Sequence, residues 1–138
     1  MTKDELVAKV KDTVSLWRAG KQEEAYAAYK TLFSDAGFAK NRPEDQRQAL
    51  KLMVHARGVP HKPTPAMLAA HKAAVAPLTA LVAAHGDPAD YEMLGMCHIT
   101  GGDTAKASEL FRAGLKLERE RSPQSDLCGA LMRRISEI

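Results

Sequence analysis

Residues 91–111 read YEMLGMCHITGGDTAKASELF, and this stretch decides the fold. A helical pattern lies on each side of the glycine pair at 101–102. Gly95 and Ala107 are small, so two helices can approach closely at these positions, while the large ring of Phe111 fills the space beside them. The stretch therefore predicts a tightly packed, antiparallel pair of helices.

The spacing recurs near the N-terminus. In both places a glycine is followed by alanine five residues later and by an aromatic residue four positions further. The two sets are Gly20, Ala25 and Tyr29, and Gly102, Ala107 and Phe111. A short repeat that cannot bury its own apolar face must stack on its neighbours, so the chain is predicted to be a helical-repeat protein.

Residues 91–111 resemble the tetratricopeptide-repeat (TPR) family, whose pattern places Leu-Gly after an aromatic residue and Ala and Phe further on. The matching residues are Tyr91, Leu94, Gly95, Ala107 and Phe111. His98 replaces the usual tyrosine, and Arg119 replaces the closing proline. The resemblance is closest over 88–118, fair over 4–35 and weak over 41–86. It implies a right-handed α-solenoid of stacked helix pairs whose first helices line a concave groove.

Capping residues predict seven helices. Thr2 to Glu5 forms a capping box. Thr64, Asp87 and Ser122 each precede a proline, which is favoured at the first position of a helix. We predict one TPR-like domain over 1–138, with helix pairs at about 3–36, 42–86 and 88–121 and a C-terminal capping helix at 123–137. No segment alternates with period two, so the predicted fold class is all-α.

Pro77 interrupts the long apolar helix predicted at 65–85. Proline inside a helix removes a hydrogen bond and clashes with the preceding turn, so we expect a kink rather than a hinge here. His71, Lys72 and Pro77 make this segment a poor membrane span. The charged N-terminus and the two widely spaced cysteines indicate a cytoplasmic protein with reduced thiols.

No catalytic motif is present: the sequence lacks a phosphate-binding glycine loop, Gly-x-Ser-x-Gly and His-Glu-x-x-His. The five histidines are not paired three or four residues apart, so no metal and no cofactor are predicted. The chain is not predicted to be an enzyme.

The resemblance implies a partner-binding groove, and the helical register selects its residues. They are Lys11, Ser15, Arg18, Gln48, Leu52, His55, Glu92, Met96, Ile99 and Thr100. TPR proteins that hold acidic C-terminal tails resemble one another in a clamp of lysine, two asparagines, lysine and arginine. The matching positions here are Lys11, Ser15, Ala49, Ala89 and Met93. Only the first lysine is kept, which argues against that subtype.

These features predict a protein-interaction module that binds a peptide or helix of an unidentified partner, away from membranes. An alternative is a homo-oligomeric assembly subunit. A third hypothesis is RNA binding through a basic face, since the net charge is +3. The aromatic content of 5% argues against RNA, because base stacking needs exposed rings.

Overall fold

The computed structural model describes residues 1–138 and is all-helical, which confirms the predicted fold class at that level. It has seven α-helices, one short 3-10 helix at Phe38–Lys40 and no strand. The α-helices are α1 (Lys3–Arg18), α2 (Gln22–Ser34), α3 (Pro43–Val54), α4 (Pro65–His85), α5 (Pro88–Thr100), α6 (Thr104–Arg121) and α7 (Asp126–Ser136).

Side-chain caps begin most of these helices. Thr2, Thr64, Asp87 and Asp103 each accept a hydrogen bond from a backbone N–H two or three residues later, at 2.9–3.2 Å. Each bond satisfies a donor that the first helical turn leaves without a partner. The predicted starts of α1, α4, α5 and α6 follow from these caps.

The predicted start of the last helix at 123 was wrong. α7 begins at Asp126, and its N-cap is Ser125, whose Oγ accepts from the Cys128 N–H at 3.1 Å. Ser122 instead caps the C-terminus of α6, and its carbonyl accepts from the Ser125 N–H. The structure also gives Ser125 a second bond, from its Oγ to Glu118 Oε2 at 2.7 Å, which the sequence pattern did not reveal.

Contacts divide the chain into two compact units, Met1–Pro77 and Leu78–Ile138. The boundary lies inside α4, which stays helical through Pro77. α4 is also long and apolar enough to cross a membrane by length and composition alone, a test that buried core helices of soluble proteins also pass.

The first unit has an aromatic core. The rings of Trp17 and Tyr26 meet edge to face at 5.4 Å between centroids. Phe33 stacks on Tyr29 at 5.6 Å and meets Phe38 edge to face at 5.2 Å. The short 3-10 helix thus supplies a core side chain, because Phe38 is only 1% exposed.

In this unit α1 and α3 run in the same direction. Beside the end of α1, the Gln22 side chain donates to the Gly58 carbonyl, which follows α3, at 2.9 Å. At the opposite end, a Cβ atom built on Gly37, which precedes α3, would lie 2.8 Å from the backbone nitrogen of Met1. The corresponding ends of the two helices therefore lie together, and α2, which follows α1 in the chain, runs in the opposite direction.

α1 and α5 end in the same turn. In α1, Gly20 has φ +79°, its N–H donates to Trp17 O, and the next N–H donates to Leu16 O at 2.9 Å. In α5, Gly102 has φ +86° and the two bonds reach the equivalent carbonyls, the second again at 2.9 Å. Both are Schellman motifs, which need a left-handed residue. Gly20 and Gly102 therefore end their helices with the same backbone conformation.

α3 ends differently. It stops at Val54 with His55 as its C-cap. The next glycine with a left-handed backbone, Gly58, does not follow this C-cap directly but lies three residues after it. The middle segment therefore lacks the turn that ends α1 and α5.

The second unit is built on the close pairing of α5 and α6. A Cβ atom built on Gly95 would lie 2.7 Å from Phe111 Cδ1, and one on Gly114 would lie 2.9 Å from the Cβ of Tyr91. α7 then packs on this pair through an apolar cluster. Its buried members are Ala107, Phe111, Leu115, Cys128 and Leu131.

Candidate functional site

A groove of about 240 Å³ lies between α1 and α3 in the first unit. We call it the α1–α3 groove. Its lining residues are Lys3, Leu6, Val7, Val10 and Lys11 from α1, and Asp45, Gln48, Ala49 and Leu52 from α3. Sites for small-molecule ligands usually enclose about 300–1,000 Å³, so this groove has room for a few side chains rather than for a cofactor.

The α1–α3 groove has an apolar floor and an apolar rim. Leu6 and Ala49 form the floor and are 3% and 1% exposed. Val7 and Leu52 stand at the rim, 40% and 39% exposed, although both are large aliphatic residues. Apolar side chains that face water on opposite walls of one groove can be covered by a partner, and burial of this area would favour binding.

Charged side chains lie at both ends of the groove. Lys3 and Asp45 belong to the end where the two helices begin, and Lys11 lies further along α1 near Leu52. Gln48 supplies an amide on the α3 wall. These polar groups suit a polypeptide, which carries a backbone and charged flanks beside its apolar residues.

The structure brings three of the predicted groove residues together: Lys11, Gln48 and Leu52 line the same groove. Ser15 and Arg18 are exposed one and two turns further along α1 and do not line it. His55 is exposed as the C-cap of α3, where its N–H donates to the Lys51 carbonyl.

The four residues predicted on α5 are mostly engaged within the second unit. Glu92 is 5% exposed, and its Oε2 accepts from Arg134 Nε of α7 at 2.8 Å. Met96 packs against the apolar cluster of α6 and α7. The Thr100 hydroxyl donates to the Met96 carbonyl at 3.2 Å, and only Ile99, at 40%, is a large exposed apolar residue.

Sequence reasoning missed several lining residues. Lys3, Val7, Val10 and Asp45 line the groove but were not among the predicted groove residues. Their placement depends on the parallel alignment of α1 and α3, which no local pattern encodes. The one available signal was Val7, an exposed aliphatic residue next to the buried Leu6.

A second groove of about 300 Å³ lies between α1 and α2. Its lining residues are Lys9, Asp12, Thr13, Leu16, Ala28, Thr31 and Leu32. The Thr13 and Thr31 hydroxyls donate to carbonyls of their own helices, at 2.8 and 3.1 Å. None of its large aliphatic side chains is exposed as Val7 and Leu52 are in the α1–α3 groove, and Leu32 is only 2% exposed.

Tyr26 and His71 form a buried polar pair in the first unit, with ring centroids 6.0 Å apart. The Tyr26 hydroxyl has no hydrogen-bond partner, and burial raises its pKa to about 12. His71 Nδ1 donates to the Met67 carbonyl at 2.9 Å, and burial lowers the pKa of the ring. The lowered pKa keeps His71 neutral at pH 7, as a core residue requires.

The cysteines and the possible metal ligands form no reactive centre. Cys97 and Cys128 are buried free thiols, and burial raises the pKa of Cys97 to about 12, so the nucleophilic thiolate is disfavoured. No group of three or more His, Cys, Asp or Glu side chains could hold a metal ion.

No family model, no curated protein and no solved structure matches this chain.

Proposed function

We propose that this protein is an interaction module that binds an apolar segment of a partner protein in the α1–α3 groove. The observation that carries the proposal is the pair Val7 and Leu52, two exposed aliphatic side chains on facing walls above a buried apolar floor. In this proposal the protein works in the cytoplasm, by binding and not by catalysis.

The finer description of the fold belongs to the same proposal. We assign the helix pairs to the TPR-like class of α-solenoids. Three features support this assignment: the Schellman turns at Gly20 and Gly102, the parallel α1 and α3, and the tight contact of Gly95 with Phe111. In a protein of this class, parallel first helices of successive pairs form the binding surface.

The proposal is tested with matched variants of two leucines. Leu52 in the groove and Leu68 on α4 are 39% and 40% exposed, and only Leu52 lines the groove. Peptides selected from a random displayed library on the wild-type protein are measured against Leu52→Asp and Leu68→Asp. Leu52→Asp removes an apolar contact and would require a carboxylate to be desolvated when the partner binds, so it should abolish binding while Leu68→Asp leaves it unchanged.

Equal affinity of both variants for the selected peptides would refute the groove as the binding site. Circular dichroism and melting temperature, measured on both variants, separate lost binding from lost folding. Because the two leucines are equally exposed, the variants should fold alike.

Self-association is the second candidate function, and the second unit gives it an observation. Three large apolar side chains of α6 and the C-terminal region face water: Leu117 at 37%, Met132 at 49% and Ile138 at 48%. Light scattering coupled to size exclusion would report a dimer that Met132→Lys converts to a monomer. A wild-type monomer at high concentration would remove this candidate.

A further inference from the structure

We infer that the partner of the α1–α3 groove carries a run of acidic residues next to its apolar segment, and that this run binds a basic surface where α1 and α3 end. This inference rests on the proposed function. The basic surface, called here the basic end, consists of Arg18, Lys21, Arg57 and Lys62.

The four basic side chains share a location at one end of the first unit. Arg18 is the last residue of α1, and Lys21 immediately precedes α2. The hydrogen bond from Gln22 to the Gly58 carbonyl holds the loop after α3 against this turn. Arg57 lies beside Gly58, and Lys62 follows on the same loop, so the basic residues gather at one end of the unit. All four are exposed.

These four charges take no part in ion pairs that stabilise the fold. No ion pair neutralises any of the four side chains. Arg18 lies at a helix C-terminus, where a cation is favourable, but Lys21 precedes the N-terminus of α2 and Lys62 lies just before that of α4. Cations are unfavourable at helix N-termini, so stability does not account for those two lysines.

Nearby acidic groups only partly offset this surface. Glu23 and Glu24 lie in the first turn of α2, where they complement the helix dipole. The first turn of α4 has no acidic residue, so its N-terminus adds positive potential to the loop. The basic end thus attracts carboxylates.

The basic end is continuous with the groove along α1. Lys11 lines the groove and Arg18 lies seven residues later, which is almost two full helical turns, so both point from the same face of α1. Seven residues of helix span about 10 Å. An extended peptide covers that distance in about three residues. A partner chain therefore has its apolar residues in the groove and its acidic residues about three positions further along its sequence, at the basic end.

The experiment uses three fluorescein-labelled synthetic peptides and fluorescence anisotropy. Each contains a pair of leucines followed, after a short spacer, by a run of aspartate, asparagine or lysine. The acidic peptide should bind about three- to tenfold more tightly than the asparagine peptide, and the lysine peptide more weakly than both. The preference should shrink at high salt, because the Debye length falls from about 10 Å at 0.1 M to about 3 Å at 1 M.

Charge reversal locates the acidic run. Arg57→Glu combined with Lys62→Glu should remove the preference for the acidic peptide and leave the affinity for the asparagine peptide unchanged. Lys40→Glu is the matched control, because Lys40 is exposed and lies at the other end of α2, about 20 Å from the basic end. That variant should keep the preference.

The outcomes separate this inference from the proposed function. Equal affinity for the acidic and asparagine peptides, with both lost in Leu52→Asp, would overturn the acidic run and keep the groove. If none of the peptides binds, both ideas fail for this class of ligand. If a labelled single-stranded oligonucleotide binds more tightly than the acidic peptide and loses affinity in Arg57→Glu with Lys62→Glu, the basic end is a nucleic-acid surface and the inference is wrong.

Discussion

Gly95 of α5 lies directly against the ring of Phe111 of α6, so closely that a Cβ atom at residue 95 would come within 2.7 Å of Phe111 Cδ1. Phe111 is 1% exposed and belongs to the apolar cluster that α7 covers. The ring therefore cannot move aside without disturbing that cluster. Glycine at position 95 is a packing requirement, since its backbone is helical and needs no left-handed conformation.

Gly95→Leu should destabilise the protein by about 1–3 kcal/mol, because added atoms overpack the contact of α5 with α6. Urea denaturation measures the loss. The matched control is Gly129→Ala at the fourth position of α7, where an added Cβ would lie 3.7 Å from its nearest neighbour, an atom of Arg133, which is an ordinary contact distance. Helical alanine is favoured over glycine by about 0.5–1 kcal/mol, so this control should be stabilised. Unchanged stability in Gly95→Leu would contradict the close packing.

The cap of α7 gives a second prediction. Ser125 Oγ accepts from the Cys128 N–H and donates to Glu118 Oε2, so Ser125→Ala removes two hydrogen bonds. We expect a loss of about 1–2 kcal/mol in the free energy of unfolding. Ser122, which the sequence pattern selected as the cap, is exposed, and Ser122→Ala should change the stability by less than about 0.5 kcal/mol. A larger loss in Ser122→Ala than in Ser125→Ala would reverse the assignment.

Ser122 and Ser125 show where local patterns suffice. Seven helices and most of their caps could be predicted, because a cap is decided by a few neighbouring residues. Ser122 was selected as the cap of the last helix, but the cap is Ser125, which also bonds to Glu118 on the preceding helix, a contact that the local pattern does not contain. The short helix containing Phe38 was missed for a similar reason, since its burial depends on contact with Phe33.

The candidate site was predictable only in part. The helical register selected Lys11, Gln48 and Leu52, which share the groove, because one face of an isolated helix can be read from the sequence. The same reasoning selected Glu92, whose buried pairing with Arg134 joins residues far apart in the chain. A register cannot distinguish a free face from one that another helix covers.

His71 should make stability depend on pH. Burial lowers its pKa in the folded protein below the ordinary value of 6.5, so the unfolded chain binds the proton more readily. The neutral His71 ring makes its full contribution to the free energy of unfolding above about pH 6.5. As the pH falls below that value this contribution is lost, by up to about 1.4 kcal/mol per pH unit. Denaturation curves collected between about pH 7.5 and pH 5 measure this slope.

Because carboxylates also titrate in acid, the His71 slope must be isolated by difference. His71→Gln keeps a polar side chain without a titrating group and should flatten the slope, even if the variant is less stable at every pH. His61→Gln is the control, because His61 lies in an exposed loop, and it should keep the wild-type slope. If His71→Gln follows the wild-type curve in parallel, the buried ring does not titrate on unfolding.

The last prediction concerns the attachment of α7 to the rest of the second unit. Leu131 is fully buried in the cluster with Phe111 and Leu115, whereas its neighbour Met132 is 49% exposed on the same helix. Leu131→Ala should cost about 2–5 kcal/mol, because it removes buried methyl groups and leaves a cavity between α6 and α7. Met132→Ala should cost little, since it leaves no cavity. Amide hydrogen exchange adds a spatial readout: in Leu131→Ala the amides of α7 should lose more protection than those of α2, which lies in the other unit. Equal losses in both variants, or an α7 that exchanges as slowly as in the wild type, would show that this helix is not held by its apolar stripe.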